Sequence, residues 1–244
     1  MKRTLGLLAL LSCCAAAHAV QTNPFSGFSQ NAASSLLKPF ALDLGGLLGA
    51  ATVDTGRTYG FPGFWVGGDV ALQTRPDRND LILRDSNVRA FALPMVQAGA
   101  GLPFQTDVIV HGVGAYGATV FGGGLRKSLY RSSLVTAFLP SLSISAFGDK
   151  VNAGAFSASH GSINATATWD LPLVKPFAEA GEDVTRVTIG SAKTPGLAGL
   201  SATANGARLA AGVDLAPLPL FDLRLALLAL HGVVGAQLGL GVTF

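Results

Sequence analysis

The residues of this chain that could do chemistry are few and far apart. Apart from His18 near the N-terminus, the histidines are His111, His160 and His231. They form no His-x-x-x-His pair and no acid–histidine spacing of the kind that builds a zinc or nucleophile site. The run Gly122-Gly123-Gly124-Leu125-Arg126-Lys127 has the glycines of a phosphate loop. It lacks the Gly-Lys-Ser/Thr ending and the helix that follows, so its glycines are expected as bends or close-packing positions of a strand. No catalytic, cofactor-binding or metal-binding residue is expected, and the chain is not expected to be an enzyme. What remains is charge in apolar surroundings: Arg208, Asp214, Asp222 and Arg224, with Asp69, Asp107, Glu182, Arg186 and Gln237 elsewhere.

The elements that must position these groups are strands. From Val234 the apolar phase holds Val234, Ala236, Leu238, Leu240, Val242 and Phe244, and the other phase holds Gly235, Gln237, Gly239, Gly241 and Thr243. A period of two with one apolar and one small or polar face is a strand between two environments. The pattern recurs in Phe221 to Ala229 against Asp222 and Arg224, in Leu209 to Leu215 against Arg208 and Asp214, and in Phe64 to Leu72 against Asp69 and Gln73. Between 156 and 169, His160, Ser162, Asn164, Thr166 and Thr168 oppose Ile163, Ala165, Ala167 and Trp169. Ten strands are predicted, at 62–74, 88–101, 104–115, 117–129, 133–147, 155–169, 176–190, 204–215, 220–231 and 234–244, with 8 or 12 as alternatives. Pro94 and Pro140 fit only at bulges or unpaired positions.

A charge facing lipid at mid-membrane costs roughly 2–4 kcal/mol for Arg or Lys, so the polar phases belong in a lumen. Arg208, Asp214, Asp222 and Arg224 are expected there as one coupled ion-pair cluster near the turn around Pro217 and Pro219. An ion-pair lattice filling a narrow lumen is the simpler role for them, and a permeation path is the functional one. An even strand count puts both barrel ends on the periplasmic side, with the odd-numbered connections long and outward.

The N-terminal residues read as an export signal: Lys2 and Arg3, an apolar run Leu5 to Leu11, then Ala17-His18-Ala19. Cleavage is expected after Ala19, leaving a mature chain from Val20. Cys13 and Cys14 leave with this segment, so no disulfide is expected. A rival site, Leu10-Leu11-Ser12-Cys13, would lipidate Cys13, but the Leu before Ser12 fits it poorly. The expected division is 1–19 signal peptide, 20–61 leader or plug, and 62–244 barrel. Within 20–61, a short helix at 31–37 and a helix or two further strands at 40–53 are alternatives. Charged residues make up only 13% of the chain and mean hydropathy is +0.46. The best apolar run, Leu215 to Leu230, is broken by Asp222, Arg224, Pro217 and Pro219, so spanning is expected from strands. Basic residues exceed acidic ones only slightly once Lys2 and Arg3 are gone. Nucleic acid is not an expected partner.

The final strand and its terminal Phe244 resemble those of Gram-negative outer-membrane barrels. That resemblance implies that Phe244 is read by the barrel-assembly machinery. The stretch Ala92 to Phe104 followed by Thr106 to Val110, and Pro176-Phe177-Ala178-Glu179-Ala180-Gly181, resemble a hairpin and a strand opening of small outer-membrane β-barrel proteins, porin-like in architecture. The resemblance covers most of 62–244 and implies a fold, a location in outer-membrane lipid, and no particular activity. The expected roles are a narrow pore for a small solute or a structural or binding barrel. A soluble secreted β-sandwich, with the apolar phases facing a core, and an outer-membrane barrel hydrolase are the alternatives.

Overall fold

The computed structural model describes residues 23–133, 136, 138–218 and 220–244. The expected signal peptide and the cleavage after Ala19 lie outside them. The fold is one ring of ten antiparallel strands: β1 (Phe64–Gln73), β2 (Phe91–Leu102), β3 (Thr106–Ala115), β4 (Ala118–Tyr130), β5 (Ser141–Ala153), β6 (Phe156–Thr168), β7 (Val174–Ile189), β8 (Ser201–Leu218), β9 (Phe221–Leu230) and β10 (Val233–Thr243). Each strand pairs with its sequence neighbours, and β1 pairs with β10 to close the ring, from Trp65↔Thr243 to Gln73↔Gly235. One sheet closed on itself has no second sheet to pack on, which rules out the β-sandwich.

Alternation along each strand gives the wall two unlike faces. Val66, Val96, Val110, Phe121, Ile144, Ile163, Leu209, Leu227 and Val234 are exposed on the outside. Asp69, Gln97, Asp107, His111, Arg126, Asp149, His160, Asp183, Arg208, Arg224 and Gln237 are buried on the inside. A polar interior and an apolar exterior are the reverse of a soluble protein and suit a wall facing lipid. Two of the charges assigned by phase depart from this: Glu182 and Arg186 are exposed on β7, whose inward residues are Asp183 and Thr185.

β5 begins at Ser141, beyond Pro140, and continues to Ala153 rather than covering 133–147. A proline has no N–H for the ladder, and here it stands outside it. Pro94 lies opposite Val70 of β1, where the ladder with β3 has already ended at Val96↔Gly112. Pro176 sits in the same way, just past the last β6–β7 pair, Thr168↔Phe177. Not all odd connections are long. Those after β1 (74–90) and β7 (190–200) are, whereas those after β3, β5 and β9 are two-residue turns. Tyr116-Gly117 and His231-Gly232 have positive φ at both positions, as a turn matched to strand twist requires.

The lumen is filled by the chain's own N-terminal part. A short helix α1 (Phe28–Asn31) leads through a single 3-10 turn into α2 (Leu37–Ala50), which packs mainly against β7 and β8. Eleven of the fourteen residues of α2 are buried, and a helix so largely apolar belongs in an interior. From Ala51 the chain descends to Phe64, where β1 starts. The far mouth, opposite the end that carries Phe64 and Thr243, is capped by Phe28, Phe40 and Phe156, with ring centroids 4.8–5.0 Å apart.

Candidate functional site

The site is the interior face of the wall together with the segment that fills it. Asp54 follows α2, and its carboxylate receives Arg126 from β4 at 2.7 Å and Arg224 from β9 at 2.7 Å. In ring order four strands separate β4 from β9 on either side. The two guanidiniums therefore come from opposite walls and meet on one carboxylate. Arg126 is also held by Asp107 of β3 at 2.8 Å and lies 5.0 Å from the Tyr59 ring centre. Arg224 and Gln237 donate to the Val53 carbonyl, each at 3.1 Å. Gln97 donates to the Ala51 carbonyl at 2.8 Å and to Asp69. Side chains of the wall thus supply partners for the Ala51 and Val53 carbonyls.

A second network lies nearer the far mouth. His111 of β3 bonds Asp149 of β5 across the intervening strand β4. The residue between them in register is Gly122, and a Cβ there would overlap both side chains. The glycine run in β4 thus serves as the passage for a histidine. Asp149 pairs in register with His160, whose Nε2 lies 3.9 Å from it and 3.8 Å from Asp183. His160 Nδ1 bonds Thr185 Oγ1 at 2.9 Å. Asp183 also holds Arg208 at 3.2 Å and His231 at 3.1 Å. Arg208 reaches on to Glu179 at 2.8 Å and Asn164 at 2.7 Å.

This network seats the helix. Gly45 and Gly49 of α2 lie directly over Thr185 and Asp183, and a Cβ at either would overlap them. His231 faces the Leu42 carbonyl with Nδ1 at 2.9 Å and Asp183 with Nε2 at 3.1 Å. Higher up, Asp43 of α2 accepts from Gln73 at 2.7 Å and from the Asp77 backbone at 2.8 Å. The helix is thereby tied to the connection after β1. Asp80 in that connection caps the helix α3 (Leu81–Arg84) through Leu83 N at 3.1 Å.

Of the four charges expected as one cluster, Arg224, Asp214 and Asp222 remain electrostatic neighbours and Arg208 stands apart. Arg224 is drawn to Asp54. Asp214 lies opposite Arg224 in register and pairs with Lys175 at 3.6 Å. Asp222 lies against Gly241 near the terminal end. Arg208 sits higher on β8, opposite Leu230, in the other network. His111, His160, Asp149, Asp183, Asp54 and Glu179 were not singled out as a group by sequence. The alternation of 156–169 marks His160 as inward, whereas the phase expected for β7 favoured Glu182 and Arg186 over Glu179 and Asp183, and Asp54 lies on no strand. Their association depends on register and on a segment that does not belong to the strand pattern. Among the described residues no group of three His, Cys, Asp or Glu side chains is arranged to hold a metal ion.

No protein-family model matches the chain, and no curated protein matches it at a significant level. Among solved structures it is similar to the N-terminal β-barrel domain of Pseudomonas aeruginosa OprF, at 11% identity and a TM-score of 0.39, over 75% of this chain and 97% of that one. It is also similar to the KdgM porin, at 5% identity and a TM-score of 0.39, over 74% and 99% of the two chains. Neisserial surface protein A is similar at 16% identity and a TM-score of 0.32, over 74% and 95%.

Proposed function

We propose that this chain is an outer-membrane barrel closed by its own N-terminal segment, and that it acts as a structural or binding barrel without enzymatic activity, its far mouth turned outward. The observation that carries this reading is Asp54, held between arginines of opposite walls. An open pore would leave that axis to water. The apolar exterior and ring closure support a membrane location, because closed barrels leave no backbone edge in lipid. The long connections at 74–90 and 190–200, both opposite the barrel termini, support the outward orientation of the far mouth.

The series Thr185, His160, Asp183 has the order of a nucleophile, a base and an orienting acid. Thr185 and His160 are buried, and Gly45 of α2 covers Thr185. A seal over the hydroxyl favours a role in seating the helix over hydrolysis. A small solute passes only if the segment leaves.

Planar-bilayer conductance of the refolded protein tests the reading. The wild type is expected to stay closed, a variant lacking residues 23–56 to conduct in steady steps, and Asp54→Asn to open briefly and often. Wild-type conductance equal to that of the deletion variant would sink the proposal.

A further inference from the structure

The strongest feature outside the lumen is the connection from β1 to β2. Arg75, Arg78, Arg84 and Arg89 are exposed around a cleft of about 530 Å³, which Pro76 and Asn87 help to line. Among the described residues none of the four guanidiniums makes an ion pair. Arg84 only donates to the Arg78 carbonyl, at 2.8 Å, within the same connection. Four cations converging on one cleft repel each other unless an anion sits among them. The acidic residues of the connection are turned to other tasks: Asp77 accepts from Asn79 N at 2.8 Å, Asp80 caps α3, and Asp85 does not line the cleft.

The cleft is built and held. Ile82 and Leu83 are buried beneath it. Ser86 bonds the Ile82 carbonyl at 2.7 Å and receives Asn31 of the N-terminal segment at 3.1 Å. Gln73 donates to the Arg75 carbonyl at 3.0 Å. A fixed backbone lowers the ordering cost that a flexible loop would bear on binding.

Its height on the wall identifies the ligand. On this side the lipid-facing residues stay apolar up to the rim, with Leu72 of β1 and Val234 of β10 exposed next to the end of their strands. On the side of β5 to β7 the outward residues toward the far mouth are instead polar: Lys150 and Arg186, both exposed, and the half-buried Ser159. Arg75 is three residues past Leu72, about 10 Å along an extended strand and less across a tilted one. The arginines thus stand where an apolar surface ends, at the level of lipid headgroups. Guanidinium is the cation suited to paired bonds with phosphate.

We infer that this cleft binds a phosphate-bearing lipid headgroup, in the form of a phosphorylated glycolipid of the leaflet that meets the far mouth. The outward orientation proposed above decides which leaflet that is. The binding itself does not depend on whether the lumen is closed.

The test is native mass spectrometry of the refolded full-length protein in neutral detergent, with lipid A, phosphatidylcholine and inorganic pyrophosphate as probes. One lipid A per chain is expected to be retained at concentrations at least tenfold below those needed for phosphatidylcholine. Retention should weaken as salt rises. The double variant Arg84→Gln/Arg89→Gln is expected to lose it tenfold or more, while Lys193→Gln, also exposed, keeps it. Heat-modifiable migration on cold gels verifies that each variant is folded. Equal retention by the double variant, or by the variant with all four arginines replaced, would overturn the site. Displacement of lipid A by equimolar pyrophosphate would overturn the lipid assignment and leave a site for free anions. Conductance is unaffected in every arm, so a failure here is distinct from a failure of the closed-barrel reading.

Discussion

Arg208 carries a heavy electrostatic stake for a single side chain. It is 1% exposed and serves Glu179, Asp183 and Asn164 together. Removing the cation strands two buried carboxylates, a change that commonly costs about 3–5 kcal/mol. Arg208→Met is therefore expected to lower the urea midpoint in detergent strongly. Arg208→Met with Glu179→Gln should lose less than the two single changes summed, because the double change leaves one carboxylate, Asp183, without its arginine instead of two. Additive losses would mean that the groups are separately hydrated. The inward direction of Arg208 was legible in the alternation of β8. Its partners were not, because Glu179 and Asp183 lie on β7 and no spacing along one strand reports on the next. The same holds for His111 and Asp149, where the one local hint was a glycine in the inward phase of β4.

At the scale of elements, the tie between α2 and the connection after β1 is expected to respond to pH. Burial pushes the Asp80 carboxyl up to about 8, and the nearby Asp43 carboxylate adds to the rise. Burial raises Asp43 too, with Asp77 contributing. A folded value above the ordinary 3.8 means that the proton is bound more tightly when the tie is made. Its contribution is complete in acid and is lost as pH rises through about 8. Trypsin should therefore cut after Arg78 and Arg84 faster at pH 9 than at pH 6.5, once normalised to a peptide substrate. Asp80→Asn, which keeps the capping oxygen and supplies a permanent N–H, should flatten that difference. An unchanged slope in Asp80→Asn would show that another group governs the opening. The helix itself was ambiguous in sequence because Phe40 to Val53 is apolar without a clear period. A helix enclosed on all sides needs no polar stripe to mark its outer face.

For the whole molecule, closure of the ring rests on the seam between β1 and β10. Phe244 extends that seam: it exchanges backbone bonds with Phe64 at 2.8 and 3.2 Å, and the two rings stack at 4.9 Å. Deleting Phe244, or replacing it with Asp, is expected to reduce the heat-modifiable band in the outer-membrane fraction severalfold. Normal accumulation would mean that the residue is ordinary packing. The ring of ten strands was legible because a wall between lipid and a polar lumen imposes a strict period of two on each strand. The lengths of the connections were not, since a two-residue turn and a long loop satisfy that period equally well. The span across the lumen carries a mechanical meaning. A hollow cylinder yields most easily by flattening into an oval, and the mode that lengthens one diameter is the one opposed by Arg126, Asp54 and Arg224 joined end to end. The carboxylate acts as the centre of a tie rod, which resists lengthening of that one diameter for as long as it pairs with both arginines.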